Sequence, residues 1–407
     1  MSKKLLLLAG FFLVSSGSIL YAQSPLNIFT MREKGIEAVQ KDSLFSIRFQ
    51  FRMQNRAGYM SRSDEDFTPE SFEFRVRRLR MVMRGFVINP KWTYYVQLSF
   101  SRADMDWEST SLSSTNTSPN IVRDAMIFYE PIKTLKLGFG QTKLPGNRQR
   151  VVSSGNLQFA DRSIVNATFT LDRDFGFFAT WDQRYFRLKG ALSSGEGRNS
   201  TKSDKGLNYT GRVEILPFGK FTGDNEDWEG DLAREKKPKM VLSAGYNYNV
   251  HAVRQGGTLG ADLYNSVNMQ NIHSDILFKY KGFALFDEIC YRMATNPVTV
   301  SEEDPSKIRA VYTGFGNLVQ LSYLFKNNFE IAARYAFIQP DKQLYQNQTY
   351  ISLNEKRQDH FHLGVTRYLY GHRLKVQGNL LYQISEDLQN NSDKANFGAI
   401  LQIELGI

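Results

Sequence analysis

The sequence predicts an all-β fold, a 16-stranded antiparallel transmembrane β-barrel with an in-folded constriction loop. Three observations predict this fold. Segments of roughly 10 residues with alternating polar and apolar side chains recur along the chain, as expected for tilted membrane strands. The connections between them alternate between tight turns and long polar loops. The chain is polar on average, with a mean hydropathy of −0.40, yet 13% of its residues are aromatic.

The N-terminus has the features of an exported protein. Residues 1–22 are predicted to be a signal peptide, with Lys3 and Lys4 before an apolar run and Ala22 at the expected cleavage site. The apolar run is shorter than the roughly 20 residues of a membrane-spanning helix. Residues 23–43 are a periplasmic N-terminal lead-in, and 44–407 form the barrel. Cys290 is the one cysteine, so no internal disulfide is expected.

The first two predicted strands carry most of the sequence signal. In 45–54 (FSIRFQFRMQ) every odd position is apolar and every even position is polar. The second strand, 72–87, is rich in arginine, and its alternation slips at Arg77 and Arg78, which predicts a bulge. In a soluble β-sandwich the apolar face would be the core, whereas in a membrane barrel it would meet lipid. This strand pair alone is compatible with both.

The whole chain favours the barrel. Sixteen strands are predicted, an even number as in bacterial barrels, with the final one closing against the first. They are 45–54, 72–87, 92–102, 121–130, 133–144, 174–182, 185–194, 207–216, 239–250, 267–280, 282–294, 312–326, 328–339, 356–370, 372–385 and 395–407.

The lengths of the connections predict the orientation. Outer-membrane barrels have short periplasmic turns and long extracellular loops. With a periplasmic N-terminus every long loop falls outside, except that the long connection 217–238 should be periplasmic. Trp92, Tyr94, Tyr95, Trp181 and Tyr185 lie near short turns and are expected in the interfacial aromatic girdle.

Four stretches of the sequence together resemble one known family. They are 74–80 (FRVRRLR) with Gly85 and Trp92; 123–129 (RDAMIFY) and 137–145 (LGFGQTKLP); 159–163 (FADRS) and 171–176 (LDRDFG); and 190–197 (GALSSGEG), 211–213 and 217–218. This pattern is similar to the phosphate-selective porin O/P family of Gram-negative outer membranes. The resemblance implies an outer-membrane homotrimer, surrounded by lipid and lipopolysaccharide, that lets phosphate or other small anions diffuse passively and needs no cofactor.

Arginines on the polar faces of the first two strands are the predicted anion pathway. A guanidinium group binds oxyanions through paired hydrogen bonds and keeps its charge. The predicted ladder comprises Arg48, Arg52, Arg75, Arg77, Arg78, Arg80 and Arg84. The competing interpretation is that acids on facing strands neutralise such arginines, and the candidates are Asp124, Asp172, Asp174, Asp182 and Glu214.

Inward folding of 145–173 would bring five further basic residues to the constriction. They are Lys143, Arg148, Arg150, Arg162 and Arg173. They are predicted either to contact the ion or to anchor the loop, for example by pairing Arg173 with Asp172 or Asp174.

Other functions have weaker support. His360 and His362 share one strand face, but without a nearby cysteine no metal site is predicted. No catalytic Ser/His/carboxylate pattern accompanies the five histidines, so an enzyme is not expected. The signal peptide argues against nucleic-acid binding. The alternative that stays open is a structural or partner-binding barrel, an accessory component of a larger complex that docks through 217–238.

Overall fold

The computed structural model describes residues 30–32, 35–39, 44–101, 121–200, 206–347, 349–350 and 352–407. The predicted signal peptide lies outside the described residues, as does the whole of the predicted loop 103–120. Among the described residues, no helix combines the length and the apolar character needed to cross a membrane.

The described chain is almost entirely β-structure. Its strands are β1 (Thr30–Arg32), β2 (Gly35–Val39), β3 (Ser46–Ser61), β4 (Pro69–Val87), β5 (Asn89–Ser99), β6 (Val122–Ile132), β7 (Leu135–Lys143), β8 (Arg173–Asp182), β9 (Phe186–Ser193), β10 (Asn208–Ile215), β11 (Lys239–Arg254), β12 (Asp262–Tyr280), β13 (Phe283–Ala294), β14 (Val298–Val300), β15 (Ile308–Ala310), β16 (Gly314–Leu324), β17 (Phe329–Pro340), β18 (Arg357–Tyr370), β19 (Leu374–Asp387) and β20 (Ser392–Gly406). Two short helices follow β7, namely α1 (Arg148–Val151) and α2 (Ile164–Phe169).

Sixteen of these strands close into an antiparallel barrel, as predicted. Each of β3 to β13 and β16 to β20 pairs with its neighbours, and β20 returns to β3 with Gly398 opposite Met60 and Gly406 opposite Arg52. Closure leaves no free sheet edge along these strands. The short connections gather at one end, here called the turn end, and the long ones, except 217–238, gather at the other, the loop end. The turn end is periplasmic by the rule for outer-membrane barrels.

The faces of the strands are inverted relative to a soluble protein. In β10, Tyr209, Val213 and Ile215 are about half exposed on the outside, whereas Arg212 and Glu214 on the other face are buried. Apolar side chains facing out and polar ones facing in are what a lipid solvent demands. The soluble-sandwich interpretation is therefore wrong.

The predicted bulge in β4 is confirmed. Gln54 of β3 pairs with Arg78, but the next residue, Asn55, pairs with Val76, so Arg77 is the extra residue. The bulge places Arg77 and Arg78 on the same side of the sheet, and both approach Asp161. The break in the alternation of the sequence therefore corresponds to two adjacent arginines, Arg77 and Arg78, that both face the lumen.

Three features were not predicted from the sequence. Strand β3 continues to Ser61, beyond the predicted end at 54, and pairs there with β4 and β20. Strand β2, within the predicted lead-in, pairs with the start of β3, where Glu37 contacts Arg48 at 2.6 Å. Strands β14 and β15 form a small hairpin in a loop at the loop end.

The loop between β7 and β8 folds into the barrel, as predicted. Its Val165 and Phe169, on α2, are fully buried against Leu318 and other apolar residues of the wall. Two aromatic rings of the loop lie directly over wall glycines. A Cβ at Gly316 would lie 2.7 Å from the Phe169 ring, and one at Gly364 would lie 2.8 Å from the Phe159 ring. Glycine is required there because any side chain would displace the loop.

Candidate functional site

The long connection 217–238 also enters the lumen, from the turn end. Its Asn225, Glu229, Asp231 and Glu235 are all at most 2% exposed. Lys279 of the wall reaches this segment, here called the inserted turn, and donates to the carbonyl oxygens of Trp228 (2.7 Å) and Gly230 (2.8 Å). The position of the inserted turn inside the barrel was not predicted from the sequence. Its alternation of Asp, Asn, Glu and Trp (DNEDWEGD) was the available signal.

The inserted turn meets the in-folded loop at Glu229. This carboxylate accepts hydrogen bonds from the Gln158 backbone (2.9 Å) and the Gln149 side chain (3.3 Å) of the loop. It also accepts one from Gln320 of the wall (3.1 Å). A loop entering from one end and a turn entering from the other are therefore joined through one buried carboxylate.

The basic residues predicted at the constriction are all engaged with the loop or its base. Arg148 donates to Asp275 on β12 at 2.6 Å, across the barrel. Arg150 donates to Asp172 at 2.7 Å, and Arg173 lies 3.3 Å from the same carboxylate. Burial opposes ionisation of Asp172, but these arginines outweigh it and keep its pKa well below the usual range.

The other two basic residues hold the loop by its backbone. Lys143 donates to the carbonyl oxygen of Val151 at 2.7 Å. Arg162 donates to the carbonyl oxygen of Gln149 at 2.7 Å. All five predicted constriction residues therefore make the loop-anchoring contacts of the second interpretation, and ion contact by them stays a prediction.

The seven predicted ladder arginines fall into groups by their partners. Arg52 donates to the Ser154 hydroxyl at 2.8 Å and Arg80 donates to the same oxygen at 3.2 Å. Arg84 lies one step further toward the turn end, and together these three line a cavity. Arg48 pairs with a glutamate of β2.

The remaining ladder arginines lie toward the loop end. Arg75 pairs with Glu73. Arg77 and Arg78 lie 3.4 and 3.5 Å from Asp161 of the in-folded loop.

A further arginine, Arg56, was missed because the predicted strand stopped short of it. It is buried and contacts Asp161 together with Arg77 and Arg78. Its place on the even, polar face of β3 was the signal that could have found it. Burial opposes ionisation of Asp161, but the three arginines outweigh it, so the pKa of this carboxyl falls below its usual range. Three guanidinium groups thus converge on one carboxylate.

The predicted balancing acids do not face the ladder. Asp124 accepts from Arg173 at 3.0 Å, and Glu214 accepts from Arg187 at 2.7 Å and Lys189 at 2.9 Å. Asp182 lies 3.1 Å from Arg187. The other two also have local partners: Asp172 holds the loop arginines, and Asp174 accepts from backbone amides of Gly195 and Gly197. These five acids therefore pair outside the ladder, whose own acidic contacts are with Glu37, Glu73, Asp161 and Glu404.

A cavity of about 840 Å³ opens between the loop, the inserted turn and the wall at the turn end. Its wall carries Arg52, Arg80 and Arg84, and its other sides carry Asp224 and Asp227 of the inserted turn. The aromatic residues around it are Phe51, Tyr95, Trp228, Tyr370 and His372.

The prediction that Tyr95 belongs to the aromatic girdle is wrong. Its ring lines the cavity and its hydroxyl accepts from Gln97 at 3.0 Å, because odd positions of β5 from Tyr95 to Ser99 face the lumen. Trp92, Trp181 and Tyr185 are 39%, 43% and 50% exposed on the outside, as expected of a girdle.

The histidine pair shows no metal-site geometry. The His360 and His362 ring centroids lie 6.1 Å apart, and His360 contacts Gln358 at 3.3 Å. Within the described ranges, no group of three or more His, Cys, Asp or Glu side chains could hold a metal ion.

Comparison with solved structures agrees with the barrel. The outer membrane channel DcaP of Acinetobacter baumannii matches with a TM-score of 0.52 at 10% identity, covering 92% of this chain and all of that one. An anion-selective porin from Comamonas acidovorans gives 0.55 at 10% identity, with 89% and 100% coverage. OmpT of Vibrio cholerae, solved in a trimer form, gives 0.51 at 10% identity, with 89% and 99% coverage. At such identities the likeness establishes the fold alone.

Comparison of the sequence itself is more specific. No curated protein matches it. Residues 47–405, nearly the whole barrel, match the family described as phosphate-selective porin O and P. With the closed barrel and the inward polar face, this match identifies the chain as a member of the phosphate-selective porin O and P family, a porin of the Gram-negative outer membrane.

Proposed function

We propose that this porin prefers anions and lets phosphate or related oxyanions diffuse along the arginine face of β3 and β4, without covalent chemistry. The observation that carries the proposal is the position of Arg52, Arg80 and Arg84 on the wall of the turn-end cavity. An ion entering from that end would meet these guanidinium groups first.

The spacing of the arginines suits a series of weak sites. Arg84 and Arg80 pair across the sheet with Arg48 and Arg52, and Arg75 pairs with Arg56 beyond the bulge. At about 3.3 Å per residue, the ladder from Arg84 to Arg75 follows roughly 30 Å of strand. Conduction requires sites strong enough for entry and weak enough for exit.

The strength of each site is in the right range. A unit charge pair at about 4 Å is worth about 1 kcal/mol in bulk-like water and about 4 kcal/mol where the effective dielectric is about 20. One arginine is therefore a poor filter, whereas several in series attract anions and repel cations. The convergence of Arg56, Arg77 and Arg78 on the Asp161 carboxylate supports this, because that oxyanion is held by two arginines of the ladder and by the neighbouring Arg56.

The experiment that tests the proposal measures the reversal potential of the purified protein in a planar bilayer under a KCl gradient. We expect chloride to permeate faster than potassium, and R80Q/R84Q to lower that preference. The matched control is R62Q/R184Q, which removes two exposed charges outside the cavity. Cation preference in the unmodified protein, or equal effects of the two double variants, would overturn the proposal.

Phosphate itself is tested by its effect on the chloride current. Added phosphate should reduce the chloride current at lower concentration in the unmodified protein than in R80Q/R84Q, because bound phosphate occupies the shared path. Sulfate at the same ionic strength is the comparison. Indistinguishable inhibition by the two anions would limit the function to a general anion pore.

We further propose a homotrimer, supported by family membership and by the trimer form of the similarly folded OmpT. The mass of the detergent-solubilised protein, measured by light scattering with the detergent contribution subtracted, tests this. A monomer mass in detergent that preserves conductance would count against it.

The accessory-barrel alternative makes a different prediction for the inserted turn. That segment packs inside the barrel, with Glu229 and Asp231 buried, so it does not present those residues to a partner. A partner that copurifies with the unmodified chain, and is lost on deletion of 219–237, would favour the alternative. Unchanged copurification profiles would favour the porin.

A further inference from the structure

The turn-end cavity has charges of both signs on different elements. The basic side is formed by Arg52, Arg80 and Arg84, which belong to β3 and β4. The acidic side is formed by Asp224 and Asp227, which belong to the inserted turn. Glu404 of β20 also lines the cavity, but it is buried and accepts a hydrogen bond from Gln54 at 2.8 Å, so the exposed carboxylates here come from the inserted turn.

The basic side is held in place by the in-folded loop. Arg52 and Arg80 both donate to the Ser154 hydroxyl, at 2.8 and 3.2 Å. Arg52 also lies 3.6 Å from Glu404 of β20. These contacts fix where the guanidinium groups stand relative to the cavity.

The acidic side is held equally firmly. The carbonyl oxygen of Asp227 accepts from the Asn156 side chain at 3.0 Å, and the next residue, Trp228, packs its ring 5.3 Å from that of His372. Lys279 clamps the carbonyl oxygen of Trp228 at 2.7 Å. Both aspartate side chains are exposed to the cavity.

The two sides are close enough to act on each other. Asp224 interacts electrostatically with Arg84. A field therefore runs across the cavity, from the arginine wall toward the inserted turn. A solute with a negative group at one end and a positive group at the other gains from both sides, whereas a simple anion gains from one and is repelled by the other.

We propose that the turn-end cavity is a dipolar site for small zwitterionic solutes, which bind with their anionic group on Arg52, Arg80 and Arg84 and their ammonium group on Asp224 and Asp227. This deepens the proposed function and rests on its arginine wall. At about 840 Å³ the cavity accommodates a small amino acid together with water. The inserted turn is then a determinant of solute choice, because it supplies the second charge.

The test uses the full chain in liposomes and two solutes with no net charge, 4-aminobutyrate and arabinose. Osmotic swelling gives the permeation rate of each, and their ratio is insensitive to the net charge of the pore. We expect D224N/D227N to lower the 4-aminobutyrate to arabinose ratio about fivefold, the effect of one lost charge pair in a water-filled site. R84Q should lower it as well.

The KCl reversal potential, measured on the same variants, separates this proposal from the proposed function. D224N/D227N should increase the preference for chloride, and R84Q should decrease it, although both lower the zwitterion ratio. The matched control, E65Q/E70Q, removes two exposed carboxylates at the loop end and should leave the zwitterion ratio unchanged. Heat-dependent mobility in SDS gels confirms that each variant forms a barrel.

An unchanged 4-aminobutyrate to arabinose ratio in D224N/D227N would overturn the dipolar site, whatever the ion selectivity. A preference for potassium in the unmodified protein would overturn the proposed anion path. The dipolar site would still be judged by the swelling ratio alone. A fall in the ratio in E65Q/E70Q as large as in D224N/D227N would also overturn the site, because the effect would then not come from the cavity.

Discussion

Truncation of Glu229 should release the inserted turn from the in-folded loop. Glu229 accepts from Gln158, Gln149 and Gln320, and it is 2% exposed. In E229A all three donors lose their partner inside the barrel. An unsatisfied buried donor costs about 1–3 kcal/mol. Water can enter the space that the side chain leaves, so the low end of this range applies. For three donors the loss of stability is then about 3 kcal/mol.

Hydrogen–deuterium exchange of the detergent-solubilised protein measures this loss. If the turn opens locally, a 3 kcal/mol loss speeds exchange of its hydrogen-bonded amides by roughly a hundredfold, since about 1.4 kcal/mol corresponds to tenfold. E229Q keeps an acceptor oxygen and should show a smaller increase. The control is K237A on the same turn, where the side chain is exposed. Exchange in E229A equal to that in K237A would refute the joining role of Glu229.

Three further predictions concern the same lumen. In G230A the new methyl group would collide with Glu330 and come within 3.1 Å of the Gln158 amide, so the turn should be displaced and single-channel conductance should rise. In K279M three carbonyl oxygens of the inserted turn, those of Asn225, Trp228 and Gly230, lose their buried donor. The turn should then be less ordered, and the current in a planar bilayer should fluctuate more than in K279R. In D161N three arginines lose their internal counter-charge, so chloride preference from reversal potentials should increase, and a decrease would contradict the assigned contacts.

The barrel was predictable because its signals are local. Alternation in a segment such as 45–54 shows which face of the strand meets lipid, and the break at Arg77 indicates a bulge. Both conclusions need only neighbouring residues in the sequence. The same reasoning underestimated β3, because Asn55, a polar residue at an odd position, and Gly58 interrupt the simple pattern while still pairing with β20.

The contents of the lumen were less predictable, because they depend on long-range contacts. Arg148 was expected near the constriction, but its partner Asp275 lies 127 residues away in the sequence. The inserted turn was predicted at the turn end but not inside the barrel. Its lumenal partners lie far away in the sequence: Lys279 donates to the carbonyl oxygen of Trp228, and Gln320 donates to Glu229. The alternation along a strand cannot show which polar side chains contact each other across the lumen of the barrel.

The seam between β3 and β20 has a consequence for assembly. Arg56 of β3 donates to Gln402 of β20, and 346 residues separate them. Pairing across such a separation carries the largest entropic cost of loop closure in the sheet. The β3–β20 pairing should therefore form after the hairpins between neighbouring strands. Until then β2 covers the edge of β3 only at its first residues, Ser46 to Phe49. The backbone groups along the rest of that edge stay unpaired until β20, at the other end of the chain, pairs with them.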